Sequence, residues 1–243
     1  MRATRIFLDT PLAEGGRVRL PANQSQHVTQ VLRLRPGAPL TIFNGNGRDY
    51  AARISSAGRD GVTVEIGAPG ELESPLPLRI YLGVGVSRAE RMDFALQKAV
   101  ELGVFHLTPL FTARSTVRLD GERLQKRQQH WQGVVIAACE QSGRRCVPGL
   151  APTERLDEWL LRRHPCPILL DPHATTPLPS MPAPSGDLTL LVGPEGGLDA
   201  SECGRARQGG FAAVRLGPRI LRTETAPLAA IAVAQSVWGD LRC

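Results

Sequence analysis

Apolar and polar positions alternate with a period of two through much of the first 66 residues. Five short runs carry the pattern: RIFL, GRVRL, APLTIFNG, RDYAARIS and GVTVEIG. Such alternation gives a strand one face for a core and one for water. Gly45, Gly47, Gly58 and Gly61 mark turns between runs, so this region predicts a small β-barrel. HVTQVLRL breaks the alternation and predicts a short helix with Val28, Val31, Leu32 and Arg35 on one face. The stretch GAPGELESPLPLR (67–79), with three prolines and no periodic apolar face, predicts a linker between domains at 1–70 and 76–243.

Beyond the linker the rhythm changes. RIYLGVGV predicts a strand, and SRAERMDFALQKAVELG a helix with Met92, Ala95, Leu96 and Ala99 along one stripe. Ser87 and Glu90 have the spacing of a capping box, and Gly103 suits the C-cap. VFHLTPLF (104–111) is the next strand. A helix over 121–142 follows, with Leu124, Gln128, Trp131, Val135 and Ala138 in register. A short helix near 153–163, a strand PILLD and a proline-rich loop from Pro172 to Asp187 complete the middle. That loop is either a lid or a stiffened crossing. Strand–helix alternation predicts an α/β domain with a parallel sheet covered on both faces.

Two turns stand apart chemically. TLLVGPEGGLDASE and AAVRLGPRILRTETAPLAAIAVAQ each run from an apolar strand into a Gly-Pro pair, Gly193-Pro194 and Gly217-Pro218. Parallel sheets bind ligands at the carboxyl ends of their strands, and glycine lets a ligand approach the main chain. One Gly-Pro turn is ordinary loop chemistry. The second adds Arg222, Thr223, Glu224 and Thr225 in a row, more polar groups than a helix cap needs. GVGVSR (83–88) lacks the third glycine of a dinucleotide fingerprint and no Walker loop occurs, which disfavours nicotinamide and nucleoside triphosphates.

Composition narrows the partners. The net charge of +6 suits a polyanion, although 27 arginines against 2 lysines also fits a GC-rich genome. Arg114, Arg118, Arg123, Lys126, Arg127, Arg144 and Arg145 cluster between 112 and 146, either as a solvated face or as a nucleic-acid contact. No stretch of about 18 apolar residues suggests a membrane span, and MRATRIFLDT does not read as a secretory signal. Five scattered cysteines (139, 146, 166, 203 and 243) form no CxxC pair. They predict reduced thiols in a cytoplasmic protein and imply no metal.

VGPEGG followed by LGPRILRTETA resembles the cofactor end of the SPOUT methyltransferases, specifically the bacterial 16S ribosomal RNA uracil-N3 methyltransferases. HVTQVLRLRPG (27–37), ERMDFALQKAVELGV (90–104), RSTVRLDGERLQKR (114–127), ACEQSGRRCVP (138–148) and ATTPL (174–178) extend the resemblance over nearly the whole chain. It implies a SPOUT-type parallel sheet with a C-terminal trefoil knot, preceded by a PUA-like barrel that docks RNA. It implies S-adenosyl-L-methionine held by Val192, Gly193, Glu195, Gly196, Gly197, Leu216, Gly217, Ile220, Leu221, Thr225 and Ala226. Arg222 would stabilise charge on the uracil carbonyl, while Glu224 or Thr223 orients the base or takes its proton. A structural Arg222–Glu224 ion pair is the alternative for those two. His27, Arg33, Arg35, Arg48, Arg88 and Arg144 are the implied RNA contacts, each otherwise an exposed charge.

The implied partners are 16S ribosomal RNA, within the small ribosomal subunit, and a second copy joined through PLAAIAVAQSVW (227–238). The family has a Lys-Gly pair where this chain reads GVGVSRAER, which puts one RNA or substrate contact on Arg88 or nowhere. Two rivals remain from the sequence alone. One is a SPOUT enzyme acting on another RNA, at a base or a ribose 2′-hydroxyl. The other is a non-catalytic RNA-binding or ribosome-assembly factor, which would have no need of the backbone pocket.

Overall fold

The computed structural model describes residues 4–115 and 119–242. Arg118, in the basic cluster, and Cys243 therefore lie outside the described residues. Two compact units emerge, one running to Ser74 and including Cys139–Val147, the other formed by Pro75–Ala138 and Pro148 onward.

The first unit is β-rich. Its strands are β1 (Arg5–Phe7), β2 (Arg17–Arg19), β3 (Pro39–Phe43), β4 (Asp49–Gly58) and β5 (Gly61–Pro69), in the order β1-β3-β4-β5-β2. The pair β1–β3 is parallel and the rest are antiparallel. Alternation works as expected: Ile42, Ile54, Val62, Val64 and Ile66 meet in one apolar core. Between β2 and β3, α1 (Ala22–Gln26) runs into a π-helical turn over His27–Val31. The wider turn rotates Val31 out of the expected stripe and leaves it 67% exposed, while Val28 stays buried.

Arg5 organises this unit. Its guanidinium donates to the carbonyls of Cys139 and Arg144 at 2.6 and 3.0 Å and to Asp49 Oδ1 at 2.6 Å. It also lies 4.4 Å over the Phe43 ring. The Phe7 N–H donates to Glu140 Oε1 at 2.9 Å, and burial pushes that carboxyl up. Cys139 is a buried thiol, pushed up to about 11 by its apolar surroundings, so it is a packing residue and not a nucleophile.

The second unit is a mostly parallel sheet. Its elements are β6 (Arg79–Gly85), α2 (Ala89–Glu101), β7 (Val104–Phe111), α3 (Gly121–Ser142, whose last turn belongs to the first unit), β8 (Gly149–Leu150) and β9 (Glu154–Arg155). Then come α4 (Leu156–Leu160), β10 (Pro167–Leu170), β11 (Asp187–Val192), α5 (Ala200–Gln208), β12 (Ala212–Val214) and α6 (Thr225–Trp238). The order β12-β10-β11-β6-β7-β8, every pair parallel, puts the carboxyl ends of β10, β11 and β12 side by side. Leu169 and Leu191 pack beneath α4 and α5 with Trp159 and Phe211. Helices α2 and α6 pack on each other. The proline-rich loop is a packed crossing: Leu178 is fully buried and Pro177 bridges Arg215.

Two local expectations change. The Ser87/Glu90 capping box does not form; Arg88 is the N-cap of α2, without a side-chain bond. The short helix is confined to Leu156–Leu160 because β9 occupies 154–155. A complete capping box occurs at α5 instead, where Asp199 accepts from the Glu202 N–H and Glu202 from the Asp199 N–H.

Burial lowers the proton affinity of His106 and His164, the latter despite its contact with the Trp159 carbonyl. Both rings therefore take up a proton at lower pH in the fold than in the unfolded chain, where they do so near 6.5. This contribution to stability is present above that value and is lost as pH falls below it. Urea midpoints at about pH 7.5 should exceed those at about pH 5.5, and a His106→Asn/His164→Asn chain should show a smaller difference. An unchanged difference would place the acid sensitivity elsewhere.

Candidate functional site

A cavity of about 420 Å³ opens where β10, β11 and β12 end. Val192, Gly193, Pro194, Glu195 and Gly197 form one wall, from the turn after β11. The turn after β12 forms the other, with Leu216, Ile220, Leu221, Arg222 and Thr223, and Ala226 closes the end. Leu170, Asp171 and Pro172 contribute the floor beside β10.

Backbone geometry explains why glycine stands where it does. A Cβ on Gly193 would sit 2.7 Å from the Leu198 nitrogen and 2.8 Å from the Gly197 carbonyl carbon. One on Gly85, at the end of β6, would meet the Pro194 nitrogen at 2.4 Å. The turn after β11 is thus packed main chain to main chain on itself and on the end of β6, as β-carbons would forbid. Gly217 has open space around it but a φ of +91°, so conformation and not room excludes other residues there.

A buried chain of hydroxyls joins three segments. The Thr223 Oγ1–H donates to the Gly193 carbonyl at 3.1 Å and lies 3.2 Å from Ser87 Oγ, which is 3.1 Å from the Gly85 carbonyl. This is why Ser87 does not cap α2. The Arg222 carbonyl accepts from the N–H groups of Thr225 and Ala226, both at 2.9 Å, and starts α6. Ionic contacts follow the same path. The Arg88 N–H donates to Glu195 Oε1 at 2.9 Å, Arg91 Nη1 lies 3.6 Å from that oxygen, and Arg91 Nε lies 4.0 Å from Glu224 Oε2.

Of the residues expected at the cofactor, Val192, Gly193, Glu195, Gly197, Leu216, Ile220, Leu221 and Ala226 line the cavity, together with Arg222 and Thr223. Gly196, Gly217, Glu224 and Thr225 adjoin it in sequence without lining it. Gly196 is tied down by Arg114, whose Nη1 donates to its carbonyl at 2.8 Å. The cation beside Glu224 among the described residues is Arg91, not Arg222. Arg91, Asp171, Arg215 and Arg219 are among the cavity-lining residues that sequence reasoning missed, as it missed the contact of Ser87 with Thr223. Arg91 falls on the polar side of the α2 stripe, where nothing in the periodicity separates it from a solvated charge.

The expected RNA contacts are dispersed. Exposed Arg88 lies at the start of α2, its N–H on Glu195. His27, Arg33, Arg35, Arg48 and Arg144 belong to the first unit. His27 opens the π turn, Arg33 follows it with a φ of 53°, and Arg35 is exposed. Arg48 Nη1 donates to the Gly70 carbonyl at 2.7 Å, and the Arg144 carbonyl accepts from Arg5.

Residues 74–235 match the RNA methyltransferase domain family, and residues 20–67 match the RNA methyltransferase PUA domain. Fold and site therefore define an RNA methyltransferase. A ribosomal RNA small subunit methyltransferase E from Buchnera aphidicola (Schizaphis graminum) is 33% identical over 242 residues, covering 99% of this chain and 98% of that protein. The chain belongs to the ribosomal RNA small subunit methyltransferase E family. The crystal structure of the Neisseria gonorrhoeae member bound to S-adenosyl methionine superposes with a TM-score of 0.93 at 42% identity, over 99% of this chain and 100% of that one. A Legionella pneumophila methyltransferase in complex with S-adenosylmethionine gives 0.95 at 36% identity, over the same shares.

Proposed function

We infer that this protein transfers the methyl group of S-adenosylmethionine to N3 of one uridine in 16S ribosomal RNA. The observation that carries the reading is the cavity between two glycine turns, in a chain similar end to end to enzymes that hold this cofactor. Its volume is within the ~300–1,000 Å³ typical of cofactor sites. Val192, Leu216, Ile220 and Leu221 suit an adenine ring, and the main chain of both turns suits its polar edge and the amino-acid end.

S-adenosylmethionine supplies, when bound, a methyl group on a good leaving sulfur. The N3–carbon bond forms as the sulfur–carbon bond breaks, and N3 must give up its proton. Arg222, exposed at the cavity, stabilises the negative charge that develops on the uracil carbonyl. Glu224 or Thr223 orients the base or takes its proton. Thr223 orients both neighbours through its bonds to Gly193 and Ser87.

The first unit is read as a PUA-like barrel that docks RNA through His27, Arg33, Arg35 and Arg48, with Arg88 and Arg144 adding phosphate contacts. In the same reading the segment from β12 into α6 closes a trefoil knot, α6 joins two copies into a homodimer, and the enzyme works in the cytoplasm. Among the described residues no helix is long and apolar enough to cross a membrane.

The test is methylation of small ribosomal subunits that lack the modification, with isotopically labelled cofactor and mass spectrometry of the digested nucleosides. Labelled 3-methyluridine is expected. A labelled 2′-O-methyl nucleoside would move the reaction to ribose and overturn the reading. A Gly217→Val chain should bind the cofactor at least about tenfold more weakly, since a β-branched residue at this φ strains the turn. Unchanged affinity in calorimetric titration would remove this turn from the binding site.

A further inference from the structure

Arg91, in the first turn of α2, has no part in the chemistry above, yet this end of α2 touches both turns of the cavity. Arg88 and Arg91 reach Glu195 after β11, and Arg91 also reaches Glu224 at the head of α6. The two carboxylate side chains are only 16% and 17% exposed, against 38% for Arg91. Each keeps a buried oxygen, Glu195 Oε2 and Glu224 Oε2, with no hydrogen-bond partner among the described residues. Arg91 is also the one cation within 4.0 Å of either carboxylate among those residues.

We infer that Arg91 is a positioning residue for methyl transfer: its guanidinium is the shared counter-ion that holds Glu195 and Glu224, and with them the two turns, in the bound geometry. This rests on the methyltransferase reading. Two largely buried like charges that share one cation repel when it is removed. Arginine suits the task because Nη1 faces one partner and Nε the other, whereas an ammonium is a single point of charge. The hydroxyl chain Ser87–Thr223–Gly193 ties the same segments independently. Loss of Arg91 therefore loosens the turns without unfolding the unit.

The test compares wild type, Arg91→Ala, Arg91→Lys, Glu224→Gln and the Arg91→Ala/Glu224→Gln double variant, by calorimetric S-adenosylmethionine affinity and by amide hydrogen exchange without cofactor. Arg91→Ala should weaken binding about tenfold and speed exchange at both 193–198 and 222–226, because contacting residues couple. Arg91→Lys should restore part of the affinity. Adding Glu224→Gln to Arg91→Ala should tighten binding again, since it removes one of the repelling charges, and a generally loosened fold would not show that reversal. Wild-type affinity and exchange in Arg91→Ala, or losses that simply multiply in the double variant, would overturn the assignment. A wild type that binds no S-adenosylmethionine would defeat the methyltransferase reading, while the exchange comparison would still decide the role of Arg91.

Discussion

Gly193→Ala binds S-adenosylmethionine about a hundredfold more weakly than the wild type, because overpacking costs of 1–3 kcal/mol or more fall directly on the binding turn. The added carbon would lie 2.7–2.8 Å from main-chain atoms of Gly197 and Leu198, and no flexible side chain can absorb the clash. The turn must move, and it carries one wall of the cavity with it. Gly204→Ala is the control. That glycine lies in α5 with nothing within 4 Å of a new Cβ, so helix propensity makes the change neutral or stabilising by up to about 1 kcal/mol. Calorimetric titration of the two chains separates the cases, and near-wild-type binding by Gly193→Ala would show that the turn is not part of the cofactor site.

Arg222→Ala has the second large effect, on turnover and not on cofactor affinity. Removing one preorganised donor from a developing oxyanion typically costs about 10²–10³-fold in rate. The Arg222 main chain is held at its carbonyl by two N–H groups of α6, and its neighbour Thr223 is pinned from two sides. The loss should therefore appear in kcat, with S-adenosylmethionine affinity changed by less than about threefold, the pattern of a contact made only in the transition state. Arg222→Lys keeps the charge but not the planar fork and should fall between. Full turnover by Arg222→Ala would end its assignment to the chemistry.

Much of the architecture was legible because periodicity reports burial directly. Helix α3 runs over 121–142 as its apolar stripe predicts, with Trp131, Val135 and Ala138 buried. The same logic finds β3, β4 and β5, whose alternate residues build the first core. It fails where the deciding partner is distant in sequence. Ser87 has the right spacing from Glu90, but its hydroxyl lies against Thr223, 136 positions away. Val31 is turned outward by one π-helical turn, a local choice that binary patterning does not encode. β8 and β9 are two residues each, too short for any pattern.

For the site, the glycine turns could be read but the reasons for each glycine could not. Gly193 and Gly85 are required by close approach of main chain, Gly217 by conformation in open space. Only the packed structure separates these. Arg91 was invisible for a related reason: on a helical projection it is an ordinary polar position, and its two carboxylates arrive from residues 195 and 224. The family resemblance supplied the cofactor and the substrate, which no residue pattern states on its own.

The grip of Arg5 on the carbonyls of Cys139 and Arg144 has a consequence for biogenesis. The first unit needs residues 139–147, which the ribosome adds only after the whole of 75–138. At about 5–20 residues per second this is a wait of several seconds, during which β1–β5 are present without their closing segment. The unit that begins first in translation is thus completed late, and the nascent chain must keep the Arg5 guanidinium available until its carbonyl partners emerge.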